Sequence, residues 1–375
     1  MCITFFSVWM AVLWSSILIL IFYVLRTKYK LIEVCSVSGV IVLYLFCMIR
    51  MAVPVEFPWT KIIFGGTLYN RIYYFFCIER HIGNCISVFD LLRWIWYLGT
   101  ILILLHYLIQ YAKLARYFGE MPLQRNSRAA QIVDTIWNGS KKPDILQTAT
   151  VKTPCCFGIL RKKIIIPDKR YTEEQLRFIL LHECSHLKNN DILVKNLINI
   201  LCALYWWNPC VYLLKKDLRQ SLEIRCDLTA VQQLAHSSKG DYLAVILSEY
   251  KDSLKTGNAT GLHYDNPKLL LERFQLVAKE RRIFAKKGNI LAWTIAGFLL
   301  FISYSFVLQT EYEAPMEDIE TEQDAHEVNQ NNSYLIKTDT GTYFVHILNK
   351  DVAISEEMAQ LMIKDGFTVI DKSEW

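Results

Sequence analysis

Residues 3–25 run from Ile3 to Leu25 without one charged side chain, and this run limits the fold more than any other feature of the chain. About 20 apolar residues cross the hydrocarbon core of a bilayer as a helix. A helix is required because no water is present there to satisfy a free backbone. Three further runs follow. Residues 34–53 carry a single charge, Arg50, near one end, where its long stem can snorkel to the interface. Residues 91–111 and 289–309 complete four expected spans. No basic residue precedes the first run and no small-x-small pattern follows it, so it reads as a retained anchor and not as a cleaved signal peptide. At 53% apolar and 21% charged residues, the chain is too greasy for an ordinary soluble enzyme.

Basic residues at span ends mark the cytoplasmic side. Arg26, Lys28 and Lys30 follow the first span, Lys113 and Arg116 follow the third, and Arg281, Arg282, Lys286 and Lys287 precede the fourth. The expected topology has both termini and residues 54–90 outside, with the region between spans three and four inside. Cys77 and Cys85 then share an outer loop in which a disulfide can persist. Residues 310–375 hold 15 acidic and 4 basic residues, a net of −11, which leaves +16 on the other 309. Within them, 311–333 reads as an exposed acidic tether. Residues 334–348 read as a hairpin turning at Asp339-Thr340-Gly341, 354–365 as a helix capped by Ser355, and 367–370 as a last strand. The expected division is three spans and an outer loop in 1–111, a cytoplasmic domain in 112–286, a fourth span in 287–309, an acidic linker in 310–333 and a small outer module in 334–375.

The chemistry concentrates at His182-Glu183-Cys184-Ser185-His186, an H-E-x-x-H pattern. Thr172-Glu173-Glu174-Gln175 has the form of a capping box, and the apolar residues after it continue without a breaker, so a helix over 173–188 is predicted. Positions four apart share one helix face, which lets His182 and His186 present ring nitrogens to one metal ion, with Glu183 beside it as a general base. A catalytic zinc site needs a third protein ligand and keeps one position open. Leu218, Leu222, Cys226 and Ala230 form a helical stripe, and on that helix Glu223 is the candidate third ligand, with Cys226 as the alternative. Asp227, four positions after Glu223, is placed to orient a histidine through its free ring N–H. Residues 192–207 are apolar but short, contain Lys195, Asn196 and Asn199, and end at Asn208-Pro209. They read as a helix buried between the two zinc-bearing helices, or as a re-entrant segment.

Three blocks carry a resemblance: L-L-H-E-C-S-H-L-K-N-N-D from Leu180 to Asp191, W-N-P from Trp207 to Pro209, and E-I-R-C-D from Glu223 to Asp227. Together they resemble the integral-membrane zinc peptidases of the BlaR/MecR type, the antirepressor sensor-transducers of the bacterial beta-lactam response. The segments Thr153 to Leu160 and Ile164 to Pro167 are similar to the strand pair before the zinc helix of that family. The close match spans about Thr150 to Leu234. It implies an α+β membrane protein of four transmembrane helices, with a cytoplasmic, mostly helical, gluzincin-like zinc-metallopeptidase domain and a small extracytoplasmic α/β module. Zinc is the implied cofactor, with His182, His186 and Glu223 as ligands and Glu183 taking a proton from water. The strand through Ile164, Ile165 and Ile166 is expected to offer an edge to which an extended substrate adds. The expected partners are a cytoplasmic protein substrate (a transcriptional repressor), membrane lipid and a second copy in a homodimer, with no direct nucleic-acid contact.

One departure bears on the ligand. The beta-lactam sensors carry an outer penicillin-binding domain with an S-x-x-K serine, whereas residues 310–375 are too short for one and contain no S-x-x-K. Covalent capture of a beta-lactam is therefore not expected. Three functions compete: a signalling protease that cuts a repressor or itself, with the basic segment from Ala278 to Lys287 as a self-cleavage target; a housekeeping membrane protease; and a non-proteolytic receptor with a structural zinc domain. The intact Glu183 argues against the last of these.

Overall fold

The first apolar run forms helix α1 (Phe5–Tyr29), and α2 (Leu31–Ala52) packs back along it. The structure is a computed structural model that describes residues 4–29, 31–74, 81–82, 86–124, 127–139, 141–235, 238–255, 267–279, 286–309, 333–338, 343–347 and 350–371. Cys77 and Cys85, the acidic tether, Arg281, Arg282 and the turn at 339–341 lie outside the described residues. So does most of the proposed self-cleavage segment. The chain divides into two units, 1–311 and 312–375.

In the first unit, β1 (Lys61–Phe64), α3 (Thr67–Tyr74) and the short pair β2 (His81–Ile82) and β3 (Ile86–Ser87) precede the 33-residue helix α4 (Val88–Glu120). Then come α5 (Arg128–Ile136), β4 (Asp144–Thr148), β5 (Cys155–Phe157) and β6 (Lys163–Pro167). The helices α6 (Glu173–Lys188), α7 (Asp191–Leu204), α8 (Pro209–Val231), α9 (Lys239–Lys255) and α10 (Pro267–Ala278) follow. Helix α11 (Lys286–Ser305) and strand β7 (Phe306–Gln309) close the unit.

Among the described residues, three helices are long and apolar enough to cross a membrane: Phe6–Thr27 in α1, Cys35–Ala52 in α2, and α4. Helix α11 falls short, because its apolar stretch ends at Ser305. The last four residues of the expected fourth span leave the helix as β7, paired in parallel with β1 from Lys61↔Phe306 to Phe64↔Gln309. Arg50 does not snorkel. It is 3% exposed, donates from Nε to Ser303 Oγ at 2.9 Å and from Nη2 to the Ser303 carbonyl at 3.1 Å, and stacks on Tyr304. Its charge is used to join α2 to α11. Ser36, at φ 60°, interrupts α2 and donates to Asn289 Oδ1 of α11 at 2.9 Å.

Helix α4 is nearly bare. Only Thr100 and Phe118 are buried, while Trp94, Leu98, Ile101 and Leu108 are each at least 60% exposed. It meets the end of α7, where Trp96 Nε1 donates to the Leu204 carbonyl at 2.6 Å, and the turn after it, where a Cβ on Gly99 would sit 2.7 Å from the Trp206 indole. Helix α7 packs on α6 and α8 but leaves Leu193, Leu197 and Ile200 exposed, so it is buried on one face only.

The sheet beside α6 corrects one expectation. Its order is β4-β6-β5, with β4 parallel and β5 antiparallel to β6. Ile164, Ile165 and Ile166 therefore lie in the central strand with side chains at most 4% exposed; Ile164 and Ile165 are paired on both sides, and Ile166 is paired with Gln147 of β4. They offer no edge to a substrate; the edge strand on the α6 side is β5. Three consecutive β-branched residues are the pattern of a strand covered on both faces.

The second unit is a four-stranded sheet of order β10-β9-β8-β11, from β8 (Ser333–Lys337), β9 (Tyr343–Ile347), β10 (Lys350–Ile354) and β11 (Val369–Asp371). Helix α12 (Glu356–Lys364) joins β10 to β11, and its N-cap Ser355 accepts from Met358 N. Strand β10 is additional to the hairpin, helix and strand expected from sequence.

Candidate metal centre

Helix α6 begins at a complete capping box: Thr172 Oγ1 accepts from Gln175 N at 3.2 Å, and Gln175 Oε1 accepts from Thr172 N at 3.0 Å. Glu173 and Glu174 complement the positive end of the helix dipole. The helix then buries nearly all of residues 176–187, which holds the two histidines in a fixed orientation. Helix α8 starts at Asn208, whose side chain accepts from Cys210 N at 2.9 Å, with Pro209 in the first turn. It crosses α6 so that Glu223 faces the histidine pair.

His182 Nε2 and His186 Nε2 lie 3.2 Å apart. Glu223 reaches both, with Oε2 3.4 Å from His182 Nε2 and Oε1 3.5 Å from His186 Nε2. A tetrahedral zinc with ligands at about 2.0–2.1 Å separates its donor atoms by about 3.3 Å, so the three donors have the spacing of one ion's ligands. Glu223 Oε2 has no hydrogen-bond partner among the described residues, as fits an oxygen reserved for a metal. The donor set of two imidazoles and a carboxylate is that of an open catalytic zinc site. A second group, His186, Asp191 and Cys226, is also close together. There His186 Nδ1 is already 2.8 Å from Asp191 Oδ2, and Arg225 is paired with the same carboxylate. That group works as a support for His186.

The surroundings supply charge balance. Burial alone would disfavour a charged His182, yet Asp227 and Glu223 outweigh it and raise its pKa to about 10 in the absence of metal. Burial would also raise Glu223, but Lys195, with Nζ 3.1 Å from Oε1, holds the carboxylate well below its usual range. Asp227 is wholly buried and lies 3.0 Å from His182 Nδ1. It accepts from Tyr242 OH at 2.8 Å, and from Arg273 Nε at 2.6 Å and Nη2 at 2.9 Å. Against its burial, Arg273 above all lowers its pKa to about 2. Both histidines thus have a carboxylate behind the ring, Asp227 behind His182 and Asp191 behind His186.

Glu183 is 7% exposed and stands at a cleft lined in part by Phe178, Tyr242, Val245 and Ile246. Its Oε2 accepts from the Cys156 thiol at 2.9 Å, and burial together with Glu183 pushes that thiol well above its ordinary pKa. The thiol therefore stays protonated and acts as a donor. Edge strand β5, which carries Cys156, thus runs directly past the carboxylate.

The structure brings His182, Glu183, His186, Glu223 and Asp227 to one place and leaves Ile164–Ile166 behind it in the sheet. Sequence reading missed Asp191, Lys195, Tyr242 and Arg273. Asp191 had a usable signal, lying at the helix-to-helix turn five residues after His186. Asn190, at φ 55°, makes that turn in the left-handed conformation that Asn tolerates. Tyr242 and Arg273 are 60 and 91 residues from His182, and no local pattern announces them.

Comparison with known proteins adds to the geometry. The BlaR1 peptidase M56 family model matches residues 81–277, just over half of the chain. Regulatory protein BlaR1 of Bacillus licheniformis is 27% identical over 158 residues, covering 41% of this chain and 26% of the relative. Regulatory protein BlaR1 of Staphylococcus aureus is 23% identical over 286 residues, covering 74% and 48%. Methicillin resistance mecR1 protein of Staphylococcus aureus is 21% identical over 196 residues, covering 49% and 31%. The chain thus spans about half the length, or less, of these curated relatives.

Proposed function

The chain belongs to the BlaR1 peptidase M56 family, and from that premise and the site geometry we propose that it is an integral-membrane zinc metalloprotease of transmembrane signalling. Its substrate is a cytoplasmic regulator, a transcriptional repressor, or the chain itself. The observation that carries this reading is the set of three donors at 3.2–3.5 Å with Glu183 next to the first histidine. His182, His186 and Glu223 would hold the metal, with Asp227 and Asp191 fixing the two rings. Zinc, when bound there, supplies a Lewis acid for the peptide carbonyl and makes water a competent nucleophile near neutral pH.

The remaining work falls to the protein. Glu183 takes the proton of the attacking water and delivers it to the leaving amine. Until substrate arrives, the Cys156 thiol holds that carboxylate by a hydrogen bond. An extended peptide adds to the free edge of β5, which brings its backbone to Glu183 through main-chain pairing tolerant of sequence. The bare apolar faces of α4 and α7 are covered by lipid, the short apolar stretch Asn289–Ser305 of α11 makes a fourth crossing with its end completed by β7, and the basic flanks put the metal domain in the cytoplasm.

Glu183→Gln tests this reading. The purified variant should keep its zinc and lose cleavage of a co-expressed repressor or of the chain itself. Full activity in the variant, or cleavage unaffected by zinc removal, would overturn it.

A further inference from the structure

Helix α10 contributes two consecutive charged residues that face different neighbours, because successive helix positions lie about 100° apart. Glu272 points to the membrane bundle. Its Oε2 lies 3.1 Å from Arg26 Nη2 at the end of α1, and Arg26 Nη1 is also 2.8 Å from Asp217 Oδ1 on α8. Tyr44 of α2 donates to the other oxygen of Asp217 at 2.6 Å. Gln220 of α8 donates to the Leu269 carbonyl at 2.8 Å and so joins the first turn of α10 to α8. The next residue, Arg273, is 3% exposed and grips Asp227 through two bonds, and Asp227 stands behind His182.

We propose that Arg273 is a positioning residue for the metal centre, and that α10 is a strap whose Glu272–Arg26 pair sets Arg273 from the inner end of α1. The inference rests on the metal-site reading above. Three features carry it. The Arg273–Asp227 pair is bidentate, so it fixes the plane of the carboxylate as well as its charge. A fixed carboxylate selects the His182 tautomer that leaves Nε2 free for a ligand bond. Asp217 and Asp227 are ten residues apart on one unbroken helix, about 15 Å, so the two clusters share a rigid rod on one side and α10 on the other. A displacement of α1 that pulls Arg26 therefore loads Glu272, and through it the neighbouring Arg273. Arg26 thus serves as more than a basic membrane flank.

The test uses the full chain in lipid nanodiscs, with zinc affinity measured by competition against a chelator and the site geometry read from the visible spectrum of the cobalt(II) form. Arg273→Gln should bind zinc about 10–100-fold more weakly and shift the cobalt bands. Arg273→Lys, which keeps the charge but loses the fork, should restore part of the affinity and less of the spectrum. Arg26→Gln should weaken zinc by about threefold, and the double variant should lose less than the product of the two, because both act through α10. Arg50→Gln removes an equally buried arginine from the bundle off this route and should leave zinc affinity unchanged. Unaltered zinc affinity and spectrum in Arg273→Gln, or a loss in Arg50→Gln equal to that in Arg26→Gln, would overturn the strap while the metal-site reading stands. Independent, multiplicative losses in the double variant would also overturn it. If Arg273→Gln does not fold, Arg273→Lys and Glu272→Gln carry the same comparison. A wild type without stoichiometric zinc would overturn the metal-site reading, and the strap with it.

Discussion

Asp227 shows how far a single residue's role extends beyond its place in the H-E-x-x-H and E-x-x-x-D patterns. It is wholly buried between Arg273, Tyr242 and His182, so its charge balances the buried guanidinium as well as facing the histidine. Its folded pKa of about 2 is depressed from about 3.9 in the unfolded chain. The stability it contributes is therefore present above about pH 4 and is lost as pH falls through 2. In metal-free protein, Asp227→Asn should cost about 3–5 kcal/mol at neutral pH, since it strips a buried guanidinium of its carboxylate. That difference from wild type should hold between about pH 4 and 6.5, shrink in acid as Asp227 takes a proton, and shrink again as pH rises from about 6.5 towards 10, where the charged His182 that Asp227 stabilises gives up its proton. Thermal midpoints of both proteins across this range check the sign; a gap that widens in acid would contradict it. Sequence alone placed Asp227 on the face of Glu223, but Arg273 could not be found that way, because it arrives from another helix 46 residues later. Lys195 was visible only as a break in an apolar run, although its amine pairs with Glu223.

At the scale of elements, local signals were legible where local physics decides. Thr172 and Gln175 cap α6 as their spacing implies, and the helix runs over 173–188. Thr172→Ala should cost about 1 kcal/mol with the metal affinity little changed, because the ligands sit three turns further on. A chemical-denaturation midpoint measures the first effect and a chelator titration the second; an unchanged midpoint would deny the cap its part. Ile164–Ile166 could be recognised as a strand but were assigned the wrong neighbours. The partner strands, 144–148 and 155–157, are set by tertiary pairing, and only the unbroken run of isoleucines hinted at two covered faces. Helix α11 was drawn too long for a similar reason. Phe306–Gln309 are apolar enough for a span, but pairing with Lys61–Phe64 takes their backbone into a strand.

For the whole molecule, apolar composition implied membrane helices, and the structure shows which faces are spent on protein contacts. Helix α2 is largely buried between α1 and α11, whereas α4 turns almost its whole surface outward. Arg26 and Arg50, which looked like flanking charges, are instead buried ties at opposite ends of this bundle. The orientation then rests on Lys113, Arg116 and the basic residues before α11. Alkaline phosphatase fused after residue 60 or residue 375 should be active, and fused after residue 235 inactive; the reverse pattern would invert the topology.

The central claim is that His182, His186 and Glu223 share one zinc ion, and zinc-edge X-ray absorption of the loaded full-length chain tests it most directly. The account predicts one zinc per chain with only nitrogen and oxygen neighbours at about 2.0–2.1 Å, two of them imidazoles, and loss of that signal in His186→Ala. A sulfur shell at about 2.3 Å would contradict it, because Cys226 would then hold the metal in place of Glu223.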